Sequence, residues 1–173
     1  MVGSVRAFNP FAGRVRFGLI LLLSFVFVLG VAAPVAADEP APKTELQRVI
    51  DVAMSEVGAK YSFASAGPNT FDCSGFVTYV YKEAGLLDRI GGKRRTVTGY
   101  LDWFKGEGKD KATKADPLPG DLIVWGKDKH MGIYLGDGMA ISALINPYGV
   151  KVHRVTGYIG MRVKTYLHVR LER

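Results

Sequence analysis

The texture of the sequence changes at Pro117, and that change constrains the fold more than any other feature. Upstream, Leu46, Val49, Ile50, Ala53, Met54 and Val57 recur at helical spacing. Thr44, with Gln47 three residues on, offers a capping box, and Gly58 ends the run. A second helix is predicted from Asp72-Cys73, with Phe76, Val77, Val80, Ala84 and Leu87 on its buried side and Gly85 near its end. Residues 96–104 read as a short third helix. Downstream, the Pro119-Gly120 turn leads into a strand at 121–125 and another at 130–135, which Gly136-Asp137-Gly138 joins to 139–144. An Asp-Gly dipeptide between two such runs is a strong hairpin signal. Further strands are predicted at 149–155 and 164–171. Helices followed by consecutive antiparallel strands make an α+β fold, with N-terminal helices packed on an antiparallel five- to six-stranded sheet. Residues 59–71, rich in Gly, Ser, Ala, Pro and Asn, read as a loop, and the Lys/Gly/Asp-rich stretch 105–116 as a solvated one.

The first 37 residues are expected to lie outside that domain. Arg6, Arg14 and Arg16 precede an apolar run from Phe17 to Ala33, and Val35 and Ala37 stand at −3 and −1 of a cut before Asp38. This is the pattern of a cleaved secretory signal peptide. The apolar run is slightly short of the roughly 18–20 residues that a membrane span prefers. Residues 38–43 are then a Pro-containing linker and residues 44–173 the folded domain. Removing residues 1–37 takes away three arginines and no acid, so the charge falls from +7 to +4, with 20 basic against 16 acidic side chains. An excess of that size suits an anionic cell envelope, and it lacks the dense basic stripe of a nucleic-acid binder. A secreted or envelope location is expected, without stable membrane insertion. At 48% hydrophobic residues with one cysteine, the chain is neither disordered nor a disulfide scaffold.

The single cysteine lies in Phe71-Asp72-Cys73-Ser74-Gly75-Phe76. In the first turn of a helix, unpaired backbone N–H groups and the positive end of the helix dipole favour the thiolate, the nucleophilic form. The plainer reading makes Cys73 a small buried hydrophobe. His130 opens a predicted strand, and an imidazole beside a thiol can take its proton and return it to a leaving amine. His153 and His168 are the other histidines.

Tyr61, Phe71-Asp72-Cys73-Ser74-Gly75-Phe76-Val77, Pro119-Gly120-Asp121-Leu122 and His130-Met131-Gly132-Ile133-Tyr134-Leu135-Gly136-Asp137-Gly138, in that order, resemble the NlpC family of bacterial cell-wall cysteine peptidases. The resemblance runs from about residue 45 to 155. It implies a reduced papain-like fold and cleavage of peptidoglycan stem peptides, usually between D-glutamate and a diamino acid. By the same resemblance Cys73 matches the nucleophile and His130 the general base. The Cys73 backbone N–H and the Tyr61 hydroxyl match the oxyanion site, where each donor contributes about 3–4 kcal/mol. Asp72 and Ser74 match positions that help read the stem peptide's N-terminal amine. Asp72 is also a natural N-cap, and both roles can hold together.

One position departs from the family pattern. Twelve residues after the base, where the family places His, Asn or Gln to orient the imidazole, stands Ser142. Three readings stay open: Ser142 serves directly or through a water; His153 or Asn146 substitutes from a nearby segment; or the enzyme is impaired. A catalytically weak wall-binding protein and a papain-like amidase or acyltransferase on another substrate are the alternatives in function. Arg94 and Arg95 follow the nucleophile helix, where they would either hold substrate carboxylates or form a solvated basic loop. Trp103, Phe104 and Trp125 are expected in the core rather than in a subsite. The chain carries no His-Glu-x-x-His, no Cys-x-x-Cys and no phosphate-cradling glycine loop, so no metal or other cofactor is expected.

Overall fold

The computed structural model describes residues 41–106, 115–157 and 160–173. The expected signal peptide, the start of the linker and the centre of the 105–116 loop lie outside the described residues. Helix α1, Glu45–Ser55, starts as its capping box predicts: Gln47 N–H donates to Thr44 Oγ1 at 3.2 Å, and Thr44 N–H donates to Gln47 Oε1 at 2.9 Å. Helix α2 spans Cys73–Glu83, a short 3₁₀ turn Leu87–Ile90, and α3 Val97–Gly106.

Strands β3 Leu122–Trp125, β4 His130–Gly136, β5 Met139–Leu144, β6 Gly149–Arg154 and β7 Val163–Leu167 form one antiparallel sheet in the order β6-β5-β4-β3-β7. The Asp-Gly hairpin joins β4 to β5, where Asp137 adopts the positive φ of 50° that such a turn needs. Residues 59–71 are not wholly loop. Lys60–Tyr61 (β1) and Thr70–Phe71 (β2) pair in parallel, which brings Tyr61 alongside the start of α2.

Side chains alternate across the sheet and build two cores. Met131, Ile133, Ile141, Ala143 and Leu122 face α2, which turns Phe76, Val77, Val80 and Ala84 toward them. Each of the larger buried side chains among these contributes about 1.5–3 kcal/mol. Ile123, Trp125, Tyr134, Ala140, Val155 and Tyr166 form the second core on the other face. His130, Ser142 and His153 are buried polar residues in the strands of this sheet, with both imidazoles against the Trp125 ring. Trp125 and Phe104 are fully buried core residues, as expected of them.

Candidate active site

Asp72 shapes the start of α2. Its extended backbone and carboxylate cap the helix: Oδ1 accepts from Gly75 N–H at 2.6 Å and from Ser74 Oγ at 2.9 Å. Its other oxygen accepts from Arg94 Nη2 at 2.7 Å, and Arg94 Nη1 also donates to the Ala64 carbonyl at 3.0 Å. Arg94 therefore ties the helix start to the loop behind Tyr61. Arg95 donates to the Gly91 and Lys93 carbonyls and lies over the Trp103 ring. Arg94 remains exposed to solvent while bonded to Asp72 and Ala64, and Arg95 is partly buried. Gly75 is required here, because a Cβ would sit 2.0 Å from the Ser65 carbonyl oxygen.

Cys73 is half-buried. Burial raises its pKa and is the largest influence; the nearby Asp72 charge acts in the same direction. Backbone N–H groups of Met131, Ser74 and Cys73 itself donate to the sulfur and oppose that rise. Desolvation thus opposes the preference for the thiolate that the helix start and the backbone donors give Cys73. The Met131 donor also places the sulfur beside the first residues of β4. Tyr61 is half-buried, and burial followed by the Cys73 and Asp72 charges raises its phenol pKa, so it remains a proton donor.

His130 is 8% exposed, and its pKa is lowered to about 4 by burial and then by His153. It is a neutral base across the neutral range. Its Nε2 lies 2.9 Å from Ser142 Oγ, and that hydroxyl lies 2.8 Å from His153 Nε2. Ser142 is fully buried and His153 is 3% exposed. Ser142 therefore touches His130 directly. Asn146 is exposed in the turn between β5 and β6, while His153 stands behind Ser142 rather than in its place. The short serine leaves room for the second imidazole. Gly132 makes the arrangement possible, because a Cβ there would meet Ile141 O at 2.6 Å and Ser142 Cβ at 2.7 Å.

Two cavities flank the sulfur and share Tyr61, Cys73 and Lys129. One, about 560 Å³, has Asp72, Ser74, Arg94, Arg95 and Asp128 in its lining. The other, about 530 Å³, is lined by His130, Leu144, Ile145, Tyr148 and Met161 as well. Cys73 and Tyr61 thus border both cavities, with His130 on one and Asp72 and Ser74 on the other, and Ser142 is buried behind His130. Sequence reasoning missed Met131, which acts through its backbone and carries no side-chain signal. It also missed the Arg94–Asp72 pair, for which only the basic cluster at 93–95 gave a hint.

The sequence profile of the NlpC/P60 family matches residues 58–169. A Listeria seeligeri protein named "Probable endopeptidase p60" is 34% identical over 113 residues, covering 63% of this chain and 19% of its own length. A protein of Mycobacterium tuberculosis named as a probable endopeptidase is 32% identical over 108 residues, 62% of this chain and 25% of its own. The chain therefore spans about a fifth to a quarter of these relatives. Among solved structures, the NlpC/p60 domain of the peptidoglycan hydrolase SagA superposes with a TM-score of 0.54 at 26% identity, covering 72% of this chain and 98% of that one. RipD of Mycobacterium tuberculosis, described as a non-catalytic NlpC/p60 domain protein adapted to peptidoglycan binding, has the same fold, with a TM-score of 0.57 at 23% identity and 75% and 100% coverage. With its fold, its Asp-Cys-Ser-Gly helix start and its profile match in agreement, the chain belongs to the NlpC/P60 family.

Proposed function

We propose that this chain is an exported cysteine endopeptidase that hydrolyses an amide bond in peptidoglycan stem peptides, between D-glutamate and a diamino acid. The observation that carries the reading is a thiol at a helix N-terminus and a neutral imidazole at a strand start bordering one cavity. The Cys73 proton passes to His130 as Sγ attacks the scissile carbonyl, so the thiolate forms only as it is used. The Cys73 backbone N–H and the Tyr61 hydroxyl stabilise the oxyanion. Collapse breaks the C–N bond, and the leaving amine takes the proton from His130. A thioester to Cys73 remains. Water, deprotonated by His130, attacks it and regenerates the thiol with release of a carboxylate. Asp72 and Ser74 line the cavity that Arg94 and Arg95 also border, where they would meet the N-terminal part of the stem peptide.

The second reading is a wall-binding protein without turnover, which the likeness to RipD supports. The presence of both Cys73 and His130 in the lining of one cavity favours the enzyme. The test is mass analysis of fragments released from purified peptidoglycan by the wild type and by Cys73→Ala. New D-glutamate carboxyl ends from the wild type alone are expected. Equal release by both would remove Cys73 from the reaction, and tight sedimentation with the wall but no release would establish the second reading.

A further inference from the structure

Ser142 can donate one hydrogen bond, yet it stands between two imidazole nitrogens. The direction of its proton is fixed from the far end. His153 Nδ1 lies 2.9 Å from the Arg154 carbonyl oxygen, which can only accept, so Nδ1 carries a proton. Burial lowers the His153 pKa, so the ring is neutral and its Nε2 is bare. That nitrogen accepts from the Ser142 hydroxyl. Ser142 Oγ must then accept from His130, which places the His130 proton on Nε2. The reverse arrangement would set a bare Nδ1 against the Arg154 carbonyl or require a buried imidazolium.

We infer that His153 is a positioning residue: through Ser142 it holds His130 in the Nε2–H tautomer and leaves Nδ1 as the bare nitrogen that receives the Cys73 proton. The inference rests on His130 being the base of the proposed reaction, but it concerns the resting protein and needs no wall substrate. The groups facing His153 include the Trp125 ring from β3 and the His130 ring. A direct orienting side chain would fix the base by itself. Here a hydroxyl, which can donate in either direction, is made directional by a second histidine.

The test is long-range proton–nitrogen NMR of ¹⁵N-histidine protein, with Cys73 alkylation by iodoacetamide from pH 5 to 10. In the wild type, His130 is expected protonated at Nε2 and His153 at Nδ1. His153→Phe keeps the bulk against Trp125 but frees the Ser142 hydroxyl. His130 then becomes a mixture of tautomers, and alkylation at pH 7 falls roughly fivefold to tenfold, the worth of one hydrogen bond. His153→Gln, whose side-chain carbonyl again accepts from Ser142, recovers most of that loss. Should His153→Phe fail to fold, Ser142→Ala removes the same link, and the wild-type spectrum alone decides the tautomer. A wild-type His130 protonated at Nδ1 would overturn the inference. So would a His153→Phe protein whose His130 tautomer and alkylation profile match those of the wild type. If these results hold while peptidoglycan remains uncut, the inference survives and the proposed function fails.

Discussion

Two opposing effects meet at Cys73. Three backbone N–H groups favour its anion, and burial disfavours it by more. The thiol and the neutral imidazole that line one cavity both favour their uncharged forms through burial. Alkylation of the wild type should rise with its main inflection above the ordinary thiol range, with no thiolate plateau at pH 5–6; such a plateau would show a resting ion pair. Tyr61 stays a phenol for the same reason of burial. Tyr61→Phe should lower kcat about 100-fold, as loss of an oxyanion donor does, with little change in KM. A change confined to KM would make Tyr61 a binding residue instead. Cys73 and His130 were legible because their chemistry is carried by residue type and local motif. The Ser142–His153 contact was not, because it joins residues 11 apart across the β5–β6 register, which residue types do not specify.

At the scale of elements, glycines decide how closely neighbours approach. Gly75→Ala would drive a Cβ into the Ser65 carbonyl, and Gly132→Ala into β5 beneath the base. Each should cost about 1–3 kcal/mol in urea unfolding. Gly132→Ala should also lower activity beyond its stability loss, since it displaces Ser142; activity tracking stability alone would contradict that. Local chemistry made much of this level readable in advance. The Thr44–Gln47 box, the Asp72 cap and the Asp137-Gly138 turn each satisfy their own backbone within four residues. The β1–β2 pair escaped because two-residue strands show no periodicity and their pairing spans a ten-residue separation.

At the scale of the molecule, the buried imidazole links catalysis to stability. Folded His130 stays neutral down to about pH 4, whereas an unfolded histidine takes up its proton near 6.5. Between those values the unfolded chain binds more protons, so stability is complete above about pH 6.5 and falls as the pH drops toward 4. The loss attributable to His130 is up to about 3 kcal/mol. His130→Gln should flatten the decline of Tm from pH 7 to 4, and a slope identical to the wild type's would place the acid sensitivity elsewhere. The helix-then-sheet order that begins at Pro117 puts Cys73 on one layer and His130 on the other, so the proposed catalytic pair exists only when the layers are packed. The most direct measurement of that pairing is mass spectrometry of the protein quenched in acid during turnover of a muropeptide. A stem-peptide acyl group on the fragment containing Cys73 is expected, absent from Cys73→Ala and slow to appear in His130→Ala. Turnover of the muropeptide with no adduct on Cys73, undiminished in Cys73→Ala, would contradict it.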